Sequence, residues 1–224
     1  MPTPLLRARR GFGFNDTMQT THSSLILAHH TLHGVTFEPD TFHEHDLLWL
    51  PHHAQLARAG RKRKAEHLAG RIAAVQALRD WGHKNVPGMG EQRQPLWPEG
   101  LSGSISHCAT TALAVVSYQP VGVDIEAIFT AQTATELAGS IVTEAEKVRL
   151  AGSGLPFEQA LTLAFSAKES AFKATPKRSQ AGCGFMHYHI LDVQHDQMRL
   201  QAIDQIWHVQ WLVKNNHVIT VATG

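Results

Sequence analysis

The stretch Phe165-Ser166-Ala167-Lys168-Glu169-Ser170-Ala171-Phe172-Lys173-Ala174 decides how this chain is read. It closes a run, Phe157 to Ala174, that contains no glycine or proline and is stopped by Pro176, so the run predicts a helix. Leu161, Phe165 and Phe172 share one stripe of that helix. At about 100° per residue, Glu169 falls about 40° from Phe165, at the edge of the apolar face. A carboxylate there is costly unless a metal, a cation or hydrogen bonds satisfy it. Lys173, one turn onward, offers a cation. A plain surface ion pair has the same spacing, so partners elsewhere in the chain must decide.

The nearest partner upstream is Gly122-Val123-Asp124-Ile125-Glu126. On a strand, residues two apart project to one face, roughly 6–7 Å apart along the backbone. Asp124 and Glu126 therefore point together, with Val123 and Ile125 toward a core. Two adjacent carboxylates repel unless a cation lies between them or one is protonated. Oxygen-only ligands suit a hard ion such as Mg²⁺. Taken alone, the pair also fits an ordinary half-exposed strand.

Further out, Arg61 to Trp81 predicts a helix, with Leu68, Ile72, Val75 and Leu78 recurring at three- and four-residue steps and Gly82 as a stop. Arg63, His67 and Arg71 form a second stripe on it. Cations crowded at a helix N-terminus oppose the macrodipole and call for an anion, with phosphate the natural candidate. A solvated basic face is the plainer alternative. Gly103-Ser104-Ile105-Ser106-His107-Cys108 reads as a small, hydroxyl-rich turn ending in His, able to donate hydrogen bonds to a phosphate.

The rest of the chain is consistent with one soluble globular unit. It has 224 residues, 43% hydrophobic and 17% charged, with a formal charge of +1. No apolar run approaches the roughly 18 residues of a membrane span. Two cysteines, Cys108 and Cys183, without a CxxC, fit a reducing compartment. Residues 1–17 read as a tail and Met18 as the working start. Ser24 to Phe37 suggests a hairpin breaking at His33-Gly34, and Glu44 to Ala59 a helix. Residues 84–103 read as loop, and Ala112–Ser117 with Val121–Ile125 as a hairpin around Gln119-Pro120. Thr143 to Leu150 predicts a helix with Thr143 and Glu146 as a capping box. Runs at Tyr188–Val193, Met198–Ile203, Trp207–Val213 and Val218–Ala222 predict an antiparallel meander. Each half thus offers strands and one long helix.

Together, Ser104–His107 (SISH), Gly122–Glu126 (GVDIE) and Phe165–Lys173 (FSAKESAFK), in this order, resemble the Sfp-type 4′-phosphopantetheinyl transferases. Asp46–Gln55 (DLLWLPHHAQ), Gly60–Ala74 (GRKRKAEHLAGRIAA) and Arg93–Pro98 (RQPLWP) extend the resemblance to members serving enterobactin, a siderophore, over about Thr20 to the C-terminus. The resemblance implies an α/β (α+β) fold of two similar lobes with pseudo-twofold symmetry, here 18–118 and 119–224. It implies transfer of phosphopantetheine from coenzyme A to a serine of aryl and peptidyl carrier domains of a siderophore synthetase. It places Mg²⁺ on Asp124, Glu126 and Glu169, and catalysis on Glu169, Lys173 and Asp124, with Glu169 as ligand, base or both. Coenzyme A would meet Arg63 and Arg71 at its nucleotide end. Arg93, Ser106, His107 and Lys173 would lie nearer its phosphates or arm, with Lys168 a further cation. The chain departs where many members have Gly-Lys-Pro: it has Arg93-Gln94-Pro95, and the expected charge is assigned to Arg93. The resemblance also implies a monomeric cytoplasmic enzyme that needs no nucleic acid, with peripheral membrane contact left open.

Three other readings compete. Ser170-Ala171-Phe172-Lys173 matches S-x-x-K, but S-D-N and K-T-G are missing. Sixteen histidines suggest zinc, yet no H-E-x-x-H occurs. A nucleic-acid or membrane-surface binder would use the Arg61–Lys64 run but leaves the acid pair idle.

Overall fold

A computed structural model describes residues 17–224; the expected tail, Thr17 apart, lies outside them. The chain begins with a hairpin, β1 (Thr20–Leu27) and β2 (His30–Phe37). Its turn is at Ala28-His29, both left-handed, and not at the expected His33-Gly34. Short 3-10 turns at Glu44–Trp49 and His53–Leu56 replace the expected helix over 44–59. Pro51 within that stretch explains the break. The first long helix follows as α1 (Arg61–Arg79). The expected loop holds one small hairpin, β3 (Gly88–Met89) with β4 (Pro95–Leu96). Then come β5 (Ser102–Cys108), β6 (Thr111–Ser117) and β7 (Val121–Ala127).

The second half contains α2 (Ala131–Ile141), α3 (Glu144–Ala151) and α4 (Phe157–Ala174). α4 has the predicted bounds. The capping box on α3 is also as expected, with Thr143 and Glu146 satisfying each other's backbone N–H. The predicted meander is β8 (His189–Val193), β9 (Gln197–Ala202), β10 (Gln205–Lys214) and β11 (His217–Thr223).

Two antiparallel sheets result, β1-β2-β6-β5 and β7-β11-β10-β9-β8. The expected β6–β7 hairpin does not exist: β6 pairs with β2 and β5, whereas β7 crosses into the other sheet and pairs with β11. α1 covers the first sheet and α4 the second, each burying its own apolar cluster. The result is an α+β fold of two lobes, each built from one long helix and one sheet. A third cluster, containing Leu113 and Val115 from one lobe with Val123, Ile125 and Val221 from the other, joins them.

At this seam the edge strands β5 and β7 meet through side chains. Ser104 Oγ accepts from Val123 N at 3.0 Å, and Ser106 Oγ accepts from Ile125 N at 3.2 Å. The stretch read as a hydroxyl-rich turn is therefore a strand, with alternate serines turned into the interior. Buried hydroxyls stand there in place of the apolar residues that would have marked it as one.

Candidate active site

Asp124 and Glu126 arrive on β7, Glu169 and Lys173 on α4. Gly122 lets strand and helix lie this close: a Cβ at residue 122 would stand 1.8 Å from the backbone oxygen of Ser170. Ser166 and Ser170 fix the rotation of α4, their hydroxyls meeting Thr220 Oγ1 of β11 at 2.9 and 2.6 Å. Lys173 Nζ then reaches over the strand and donates to Val123 O and Asp124 Oδ1, each at 3.0 Å.

Asp124 is only 3% exposed. Its Oδ1 also accepts from Ser106 Oγ at 3.2 Å, while Oδ2 is buried and meets no hydrogen-bond donor. Burial, next the charge of Asp124 and then a side-chain hydrogen bond shared with it push the Glu126 carboxyl up to about 8; Lys173 opposes this and Glu169 adds to it. Burial likewise raises Glu169, with Lys173 opposing and Asp124 adding. The charge of Asp124 thus raises both Glu126 and Glu169.

Among the described residues, no three His, Cys, Asp or Glu side chains are gathered so that they could hold a metal ion by themselves. Mg²⁺ does not ask for one: it is held by one or two carboxylates together with substrate phosphates and water. An orphaned carboxylate oxygen and mutually repelling acids fit such a cation. A proton held between Glu126 and Asp124 is the other way to quiet the repulsion.

A cavity of about 460 Å³ lies on the N-terminal lobe, lined by Arg58, Arg63, His67, Arg71, Arg93 and His107 among others; Ile105 and His107 on its wall flank Ser106, the residue that bonds Asp124. Arg71 is buried; its Nε donates to Pro87 O at 2.9 Å and its Nη2 to Gly88 O at 3.0 Å, so it also braces the approach to β3. Burial lowers its pKa to about 10, which leaves it a cation at neutral pH. Arg93 is left-handed, with φ 64°, at the turn between β3 and β4. That turn puts Arg93 on the basic cavity and Gln94 on a neighbouring one of about 630 Å³. Trp97, Phe172 and Lys173 line the second cavity, which shares Pro95 and Ile105 with the first.

Two site expectations need correction. Lys168 does not face the cleft. It is fully buried on the far side of α4, where Nζ donates to Ile141 O at 2.8 Å and pairs with Glu146 Oε2 at 3.0 Å. Position 168 precedes Glu169 by one residue, about 100° around the helix, so the two cannot share a face. Ser106 is also inside; its hydroxyl is committed to Asp124 and Ile125 N, where it orients the acid and has no direct access to a phosphate.

The basic run breaks up in a similar way. Arg61 lies 5.4 Å above the Phe42 ring, Lys62 is 3.8 Å from Glu66, and Lys64 is 2.9 Å from Glu44. These contacts tie three of the run's cations to neighbouring groups, Lys64 being the one that is buried. His67 was visible as the middle of a basic stripe but carried no assigned role. Trp97 and Phe172 gave no sequence signal beyond ordinary core aromatics.

This architecture, with paired strand acids on one lobe and a basic cavity on the other, defines a class. The 4′-phosphopantetheinyl transferase N-terminal domain matches residues 52–117 and the 4′-phosphopantetheinyl transferase superfamily matches residues 120–222. The chain belongs to that superfamily, and its reaction is the transfer of phosphopantetheine from coenzyme A to a carrier protein. It is 60% identical to enterobactin synthase component D of Escherichia coli O157:H7, over 91% of this chain and 98% of that protein. It is 53% identical to enterobactin synthase component D of Salmonella typhimurium, over 92% of each. The 4′-phosphopantetheinyl transferase PptT of Mycobacterium tuberculosis is 33% identical over 63% of this chain and 64% of its own length. Among the described residues, no helix is long and apolar enough to cross a membrane.

Proposed function

We propose that this chain is the Mg²⁺-dependent transferase that loads the aryl and peptidyl carrier domains of an enterobactin-type siderophore assembly line. The observation that supports the metal reading is the buried Asp124 Oδ2, which no amide, hydroxyl or ammonium donor meets, with its charge raising both Glu126 and Glu169. Asp124, Glu126 and Glu169 would hold the ion, and when bound it supplies positive charge that screens the diphosphate from an incoming oxygen nucleophile.

The protein's own groups do the rest. Arg63, Arg71 and Arg93 give the nucleotide end and phosphates of coenzyme A a cationic bed, with His107 on the same wall as a ring N–H donor. Glu169, with its carboxyl raised by burial, accepts the proton of the carrier serine as the seryl oxygen attacks the phosphorus bearing the pantetheine arm. Lys173 stabilises charge developing on the departing adenosine 3′,5′-bisphosphate. Its ammonium is positioned by Val123 O and Asp124 before any substrate arrives.

The test is incubation with coenzyme A, Mg²⁺ and an apo carrier domain, followed by intact-mass measurement. A gain of about 340 Da on the carrier, abolished by a chelator and restored by Mg²⁺, is expected. Undiminished transfer in the chelator, or in Asp124→Ala, would remove the metal role.

A further inference from the structure

One pair of histidines in the basic cavity has no part in the reading above. His52, at the N-cap of the 3-10 turn His53–Leu56 that precedes α1, is 9% exposed. Its Nε2 lies 2.8 Å from Nε2 of His67 on α1, with the rings edge-on and their centroids 5.0 Å apart. His52 Nδ1 is buried and has no partner. His67 lines the cavity, and Nδ1 is its remaining polar atom.

One proton joins the two Nε2 atoms, and the buried Nδ1 decides who owns it. If His67 donated, His52 would accept at Nε2 and carry its own proton on Nδ1, leaving an orphaned N–H in the interior. If His52 donates, its Nδ1 is a bare lone pair, the better tolerated of the two. His52 is then the Nε2–H tautomer, and His67, accepting at Nε2, holds its proton on Nδ1. Both rings are kept neutral by burial and by Arg71, with Arg63 and His107 also repelling a proton from His67.

We infer that His67 is a ligand-positioning residue that presents its Nδ1–H to a phosphate oxygen of coenzyme A, and that His52 locks it in this tautomer. The inference rests on the proposal that coenzyme A occupies this cavity. A fixed donor is useful there because Arg71 has already committed Nε and Nη2 to Pro87 and Gly88.

Nitrogen NMR of the wild-type protein with labelled histidine should show His67 protonated at Nδ1 and His52 at Nε2; the reverse pattern overturns the inference without any variant. In calorimetry, His67→Phe should weaken coenzyme A binding roughly tenfold, the worth of one hydrogen bond to a charged acceptor. His67→Asn, whose amide nitrogen sits near the Nδ1 position, should recover most of the loss. His52→Leu should lose affinity, while His52→Gln, which keeps a donor at the Nε2 position, should not. Thermal melts confirm that each variant is folded. Repeating the series with dephospho-coenzyme A locates the contact. If the loss disappears the partner is the 3′-phosphate, and if it persists the partner is the pyrophosphate; both uphold the inference. A wild-type protein that fails to bind coenzyme A sinks the reading of the cavity. Tight wild-type binding shared equally by His67→Phe sinks the role of His67 alone.

Discussion

At the scale of single residues, the chain separates charges that chemistry uses from charges that hold the fold. Lys168 and Glu146 are of the second kind. Glu146 closes the capping box of α3, accepts from Ile190 N at 2.8 Å and neutralises the buried Lys168 ammonium. Removing one partner strands the other in the interior, so Lys168→Met should cost about 3–5 kcal/mol in denaturant unfolding while coenzyme A affinity holds. Glu169→Gln should behave in the opposite way, lowering kcat far more than KM and leaving the melting temperature near its original value. His67 gives a pH signature. Burial, reinforced by Arg71, holds its folded pKa at about 3, against 6.5 unfolded. Between those values the unfolded chain binds the proton that the folded one refuses. Stability therefore falls as pH drops below 6.5, by up to about 1.4 kcal/mol per pH unit from this group. Acid titrations of unfolding for wild type and His67→Asn should diverge over that window and agree above it.

At the scale of elements, the contact of β7 with α4 sets the active site. Gly122→Ala drives a methyl into the backbone of Ser170, which no rotamer change relieves. The helix must shift, carrying Glu169 and Lys173 away from Asp124, so transferase activity should collapse along with a loss of about 2–4 kcal/mol by thermal unfolding. How much of this was legible depended on the element. α4 could be bounded to the residue because an uninterrupted helical run ended at a proline, and α3 announced itself by its cap. β5 could not be read, since its buried positions are serines whose role exists only once β7 lies alongside. β6 and β7 read as a hairpin because the local sequence fits one; pairing with β11 is a tertiary choice. Strand spacing paired Asp124 with Glu126, and the family resemblance added Glu169; Lys168, one residue and about 100° from Glu169 on the helix, points elsewhere for a reason that helix geometry already contains.

At the scale of the molecule, two half-sites are brought into register by a seam. The cationic cavity belongs to the first lobe and the acids to the second, with Ser104 and Ser106 bridging them. Ser104→Ala leaves Val123 N buried without a partner, at a cost of about 1–3 kcal/mol, and makes no contact with Asp124. Ser106→Ala strands Ile125 N in the same way and also takes from Asp124 Oδ1 one of its two donors, leaving Lys173. The double comparison should therefore show similar losses of stability but a larger loss of turnover for Ser106→Ala, measured at saturating coenzyme A. The two lobes are joined in sequence only by the short link through Gln119 and Pro120, which is surface-exposed or nearly so. A chain severed there would yield two fragments, each with an open sheet edge and half the chemistry. Transfer would then occur only when the fragments met, which would make this enzyme a natural starting point for a split reporter whose output is a covalent tag.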